Sequence, residues 1–100
     1  MYVTQLIYIN PGKEAIFHAF EELSLPLLAK YRGEVVLRVR PNKESIIEAS
    51  VETPYELHIV RFETEADFGR FLGDDSRKQF LHLKNESVRE SILVTGQVKL

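Results

Sequence analysis

Cysteine is absent from this chain, which excludes disulfides, thiolate nucleophiles and cysteine-based metal sites. That absence fits a reducing compartment, and a cytoplasmic location is the expectation. Long apolar runs are missing too. No stretch approaches the roughly 18 residues of a transmembrane helix, and no basic segment leading into an apolar one marks a signal peptide. Charge of one sign is not in excess: 13 Lys and Arg against 15 Asp and Glu leave a net charge of -2. That balance argues against a nucleic-acid partner. There is no helical-array repeat and no low-complexity tract. No Ser-His-Asp order, glycine-rich phosphate loop or paired-carboxylate signature is present. The expectation is therefore no metal, no cofactor, no nucleic acid and no membrane partner.

What remains is a chain of 100 residues, read as a single domain spanning 1–100. At this size the core is modest, and oligomerisation is a common supplement. Tyr2 to Ile9 is rich in β-branched and aromatic residues and reads as a strand. Tyr2, Leu6 and Tyr8 line one of its faces and Val3, Ile7 and Ile9 the other, so both faces need cover. Asn10 and Pro11 suit a helix start near Lys13. Ala15, Ile16, Ala19, Phe20 and Leu23 form an apolar stripe. Pro26 should kink or restart the helix, Leu27 and Leu28 continue the stripe, and Gly33 is the expected left-handed stop. Glu34 to Arg40 reads as a second strand, with Val35, Leu37 and Val39 facing one way and Val36, Arg38 and Arg40 the other.

Residues 42–54 are long for a connection, and the alternation of Ile47, Ala49 and Val51 predicts a short extra strand or hairpin extension. Tyr55 to Phe62 is a third strand. Thr64 caps the next helix with Asp67 as its capping-box partner, and Phe68, Phe71 and Leu72 form the buried stripe. After Gly73, the Asp74–Ser76 run caps a further helical piece to about Lys84, with Phe80 and Leu81 or Leu83 facing inward. Ile92 to Lys99 is the last strand, with Gly96 at a bulge or close approach. The order is βαββαβ.

Three segments, Leu27–Leu37, Glu56–Thr64, and Phe68-x-x-Phe71-Leu72-x-Asp74 followed by Arg77, resemble the dimeric α+β-barrel superfamily of ferredoxin-like proteins. They look most like its uncharacterised branch, related to antibiotic-biosynthesis-monooxygenase-like proteins. The resemblance implies a four-stranded antiparallel sheet with the helices on one face. The other face would close a barrel against a second copy, making a homodimer. It also implies a pocket between sheet and helices. The haem-degrading relatives carry an Asn on the first strand, and a Trp and a His in the second helical region. Here those positions hold Gln5 as the nearest residue, Phe71 and Leu81, with His82 one residue late, so those roles do not carry over.

His58, in mid-strand, is the candidate catalytic base; the competing reading is a core histidine satisfied by one hydrogen bond. His82 is the second candidate, against an exposed helix-surface residue. Arg38 and Arg61 are candidates for holding a carboxylate or phenolate, against simple pairing with Glu34, Glu56 or Glu63. Tyr8 and Phe71 are candidate substrate-binding residues, against roles at a dimer seam or in the core. His18 reads as surface or interface, and Glu21-Glu22 and Asp74-Asp75 as solvated helix and cap residues.

Two functions fit. One is a cofactor-free monooxygenase, isomerase or dehydratase acting on a small aromatic or polyketide-like molecule. The other is a non-catalytic homodimer that binds a ligand or protein.

Overall fold

The computed structural model describes residues 1–98. Strands β1 (Tyr2–Ile9), β2 (Gly33–Val39), β3 (Glu56–Phe62) and β4 (Val88–Gly96) form one sheet in the order β2-β3-β1-β4. Every neighbouring pair is antiparallel. Helix α1 (Glu14–Ser24) leads into a 3-10 segment over Leu25–Tyr31, and α2 (Glu65–Leu72), α3 (Asp75–Gln79) and α4 (Leu81–Ser87) lie between β3 and β4. This is the four-stranded α+β, ferredoxin-like fold. No helix among the described residues is long and apolar enough to cross a membrane.

Strand alternation sorts the sheet into two faces. Val3 and Ile7 of β1 and Phe62 of β3 face the helices and are buried. They join Leu28 and Phe71 in one core cluster and Phe17 and Phe20 in another. The opposite face carries Leu6 paired with Leu57 and Ile92, and Ile59 paired with Leu37. Leu37, Val39, Ile92 and Val94 stand exposed there.

Several local expectations hold with their chemistry. Thr64 accepts from the Asp67 backbone N–H, and the Asp67 carboxylate accepts from the Thr64 N–H, completing the capping box. Pro26 ends regular α geometry, and the chain continues as the 3-10 segment.

Others are corrected. Helix α1 begins at Glu14 without a side-chain cap, because the Asn10 side chain instead donates to the Glu86 carbonyl. Its buried stripe is Phe17, Phe20, Glu21 and Ser24, one step round the helix from the expected one, and Leu23 is exposed. The left-handed residue is Arg32 (φ 57°), not Gly33. Gly33 is the first residue of β2, and an added Cβ there would meet Phe62 Cε1 at 2.7 Å. The 42–54 segment forms only a 3-10 turn, Lys43–Ser45, and no strand. Leu72 is exposed.

The helical piece after Gly73 breaks at Phe80 into α3 and α4. Strand β4 starts earlier than expected, and Lys99 lies outside the described residues. Gly96 sits opposite Tyr2 with open space around it; the irregularity of that strand pair is at Tyr8/Ile9.

Candidate functional site

Glu21 belongs to the buried stripe of α1, spaced one and four residues from Phe20 and Phe17, so it faces the sheet. Glu56 and His58, two residues apart on β3, share the helix-facing side. Arg38 pairs with His58 across the β2–β3 ladder, and a register shift between Val35 and Leu37 brings it to that face. Without the shift, Val35 and Arg38 would lie on opposite faces. With it, both are opposite helix-facing residues of β3, Val60 and His58.

The three elements therefore focus charge on one imidazole. His58 Nε2 lies 2.7 Å from Glu56 Oε1 and 3.0 Å from Glu21 Oε2. Arg38 Nη2 is 3.0 Å from Glu21 Oε2, and Arg40 Nη2 is 2.6 Å from Glu56 Oε2. Glu21, Glu56 and His58 are all buried, while the two arginines stand at the solvent edge.

An ionised carboxylate can only accept, so the hydrogen of the neutral imidazole resides on Nε2 and is donated to Glu56. Both carboxylates meet that nitrogen, which leaves Nδ1 as the proton-accepting atom. Glu21 Oε2 has no donor aligned on it despite its close neighbours. Burial pushes the His58 pKa down, but the Glu21 and Glu56 carboxylates outweigh it and raise it above its ordinary 6.5. For Glu56, burial pushes up, and hydrogen bonds from His58 and Arg40 more than reverse it, holding it well below the usual carboxylate range.

Beside this cluster lies a cavity of about 120 Å³. His58, Glu21 and Gln5 line one part, Phe17, Phe62 and Phe71 supply apolar walls, and Arg77 and Lys84 reach it from the α3–α4 region. This is a little below the roughly 150 Å³ known to hold a benzene ring, so it suits a small molecule.

The candidates from the sequence divide accordingly. His58, Phe71 and Arg38 come together around the cavity or its charged wall. Arg61 is across the sheet, paired with Tyr2 of β1 in register and bound to Glu34 at 2.9 Å. Arg61 therefore shares no cavity with Arg38. Tyr8 also belongs to the far face, where its hydroxyl donates to the Glu52 carbonyl at 2.8 Å. His82 is exposed and lines no part of the cavity.

The acidic residues assigned to solvent are corrected. Glu21 and Asp74 are buried. Asp74 caps α3, accepts from Tyr31 and pairs with Lys30. The signal for Glu21 was available in the spacing Phe17-Phe20-Glu21-Ser24. Arg77 entered the sequence reading only within the third resembling segment, with no role in a site.

His18, Glu21 and Glu56 bring ligand-type atoms within 4.8 Å of one another. They fit a cation poorly. Arg38 and Arg40 already neutralise the two carboxylates, His18 Nε2 is 2.6 Å from the Tyr55 hydroxyl, and a dication would face two guanidinium groups.

No protein-family profile and no curated protein matches this chain. Solved structures do match it. A protein of unknown function from Rhodopseudomonas palustris superposes with a TM-score of 0.82 at 17% identity, over 99% of this chain and 82% of that one. A candidate antibiotic biosynthesis monooxygenase from Nitrosomonas europaea gives 0.62 at 13% identity, over 98% of this chain and 100% of that one. A dimeric protein of unknown function with a ferredoxin-like fold from Bacteroides fragilis gives 0.59 at 16% identity, over 93% and 90%. What they share is the fold. The resemblance drawn from the three sequence segments therefore holds at the level of architecture, and at these identities it carries no activity across.

Proposed function

We propose that this chain is a homodimeric, cofactor-free enzyme that moves a proton on a small organic molecule, with His58 as the base. The observation that carries the reading is a buried imidazole, its Nε2–H donated to Glu56, beside an unfilled apolar cavity. A core packed shut by its own phenylalanines would have favoured a non-catalytic binding module. His58 Nδ1 takes a proton from a carbon next to a carbonyl and returns it at a neighbouring carbon, an isomerisation that needs no oxidant or second base. Dehydration begins with the same abstraction. Oxygenation finds less support, since proton transfer alone accounts for every charged group around His58. Glu56 positions the ring and Glu21 strengthens it as a base.

The homodimer is supported by the far sheet face, where Leu37, Val39, Ile92 and Val94 lie exposed around Leu57 and Ile59. A contiguous apolar face of this kind calls for a partner, and a second copy closing a barrel satisfies it by two-fold symmetry.

The test is solvent deuterium exchange, followed by NMR, on a panel of small β-keto and β,γ-unsaturated acids and phenols. The wild type exchanges the activated proton of at least one compound, and His58→Gln, which keeps the ring's volume and polarity, does not. Exchange that survives in His58→Gln, or a wild type inert across the panel, sinks the assignment.

A further inference from the structure

The cavity that His58 lines also carries a guanidinium to which no carboxylate among the described residues is hydrogen-bonded. Arg77 is 8% exposed, yet its Nε is buried without a hydrogen-bond partner among the described residues. The neighbouring carboxylate, Asp74, spends its oxygens on Lys30, Tyr31 and the Arg77 backbone N–H, not on the guanidinium. Phe71 lies beneath the guanidinium at 5.1 Å and helps to hold it in place.

Lys84 lines the same cavity, and no carboxylate among the described residues lies within 4.0 Å of its amine. Burial lowers the pKa of both groups, and for Lys84 the nearby Arg77 adds to the effect. A buried cation without a partner is costly, and here a buried guanidinium and a half-buried ammonium line one cavity. The rest of the lining is largely aromatic and apolar, with His58, Glu21 and Gln5 as further polar members.

We propose that Arg77 and Lys84 form an anion clamp for the carboxylate of a small organic acid, whose apolar body lies among Phe17, Phe62 and Phe71. This rests on the reading of His58 as the base, and it names the substrate class that base would serve. The guanidinium offers parallel donors to a planar carboxylate, the ammonium supplies a second charge, and the body of the acid is directed toward His58. Arg38 and Arg40 do not compete for the ligand, being committed to Glu21 and Glu56.

Benzoate and crotonate serve as probes, with benzamide as the neutral control, in titrations followed by NMR of the Arg77 Nε–H and by calorimetry. At least one of the two acids binds and shifts the Arg77 signal, while benzamide binds about tenfold or more weakly. Arg77→Met and Lys84→Gln each weaken acid binding by about tenfold or more, for loss of one charged hydrogen bond. Arg77→Met also melts higher than wild type without ligand, because an unpaired buried charge is replaced by an apolar chain of similar length.

A lower melting temperature in Arg77→Met would mean that the arginine is structural, and equal binding of benzoate and benzamide would mean that no charge is read. Either result overturns the clamp, as does an Arg77 signal unmoved by both acids at millimolar concentration. His58→Gln separates the two readings. Acid binding kept in that variant, with proton exchange lost, supports both. Acid binding kept in a protein that never exchanges protons retains the clamp and removes the base.

Discussion

Gly33→Ala tests how tightly the cavity's rear wall is packed. At an ordinary strand position this substitution is stabilising, by about 0.5–1 kcal/mol, because alanine loses less chain entropy. Here the added methyl would stand 2.7 Å from Phe62 Cε1, 2.9 Å from Cδ1 and 3.2 Å from the Leu28 carbonyl oxygen. The Phe62 ring has little room to retreat, being 1% exposed and packed against Phe68 and Phe71 at centroid distances of 5.3 and 5.6 Å. Overpacking of this kind costs about 1–3 kcal/mol. The clash outweighs the entropy gain, leaving a net loss on the order of 1 kcal/mol, or about 4–8 °C in Tm at fixed protein concentration. Thermal and urea unfolding measure it. Gly69→Ala is the matched control, since nothing lies within 4 Å of that position in the exposed part of α2; it should stabilise by up to about 1 kcal/mol. In a Phe62→Leu background the cost of Gly33→Ala should largely vanish. If Gly33→Ala melts at or above wild type, or costs as much beside Leu as beside Phe, the ring-contact reasoning is wrong.

Three further outcomes are expected. Glu21→Gln lowers the His58 pKa, read from its imidazole proton shifts, because one of the two carboxylates that raise it is gone; proton exchange should then reach its plateau at lower pH. For the folded state the signs are fixed. The raised His58 pKa contributes stability below its ordinary 6.5 that is lost as pH climbs through the raised value, while the depressed Glu56 contributes stability above its ordinary 4.5 that is lost as pH falls. A pH series of urea midpoints in wild type and Glu21→Gln should show the alkaline fall arriving earlier in the variant. Thr64→Ala removes the acceptor for the Asp67 N–H at 3.1 Å and should cost about 1 kcal/mol in the same assay. Ile92→Asp places a charge in the apolar far face, and by sedimentation it should convert a dimer into a monomer; a dimer that persists places its interface elsewhere.

The fold was legible because it depends on features that are local in sequence. Strand composition, the Thr64-Asp67 box and Pro26 each act through neighbours a few residues away, and each acts as its chemistry dictates. The 42–54 segment misled because alternation is only a necessary condition for a strand. It pairs with no strand, and Tyr8 takes up the Glu52 carbonyl with a side-chain hydroxyl. In α1 the chosen apolar stripe favoured residue type over geometry. Ala15, Ile16 and Leu23 look like core, yet the helix turns Glu21 inward because β3 presents an imidazole to meet it.

His58 and Arg38 were candidates from the sequence, but the face on which Arg38 stands depends on an irregularity in β2. Strict alternation along β2 would place Arg38 opposite the face of Val35, and only the extra residue at the register shift brings both to the helix side, the arginine beside Glu21 and His58. A continuous helix from Asp75 to Ser87 would give Arg77 and Lys84 a seven-residue separation and nearly one face. They line the cavity from two short helices that meet at Phe80. Arg38 sits where carboxylates pair with it, and Arg77 lines the cavity with no carboxylate among the described residues hydrogen-bonded to its guanidinium. The uncompensated pair is therefore where a ligand's charge would do most, and the neutralised one is where a base is tuned.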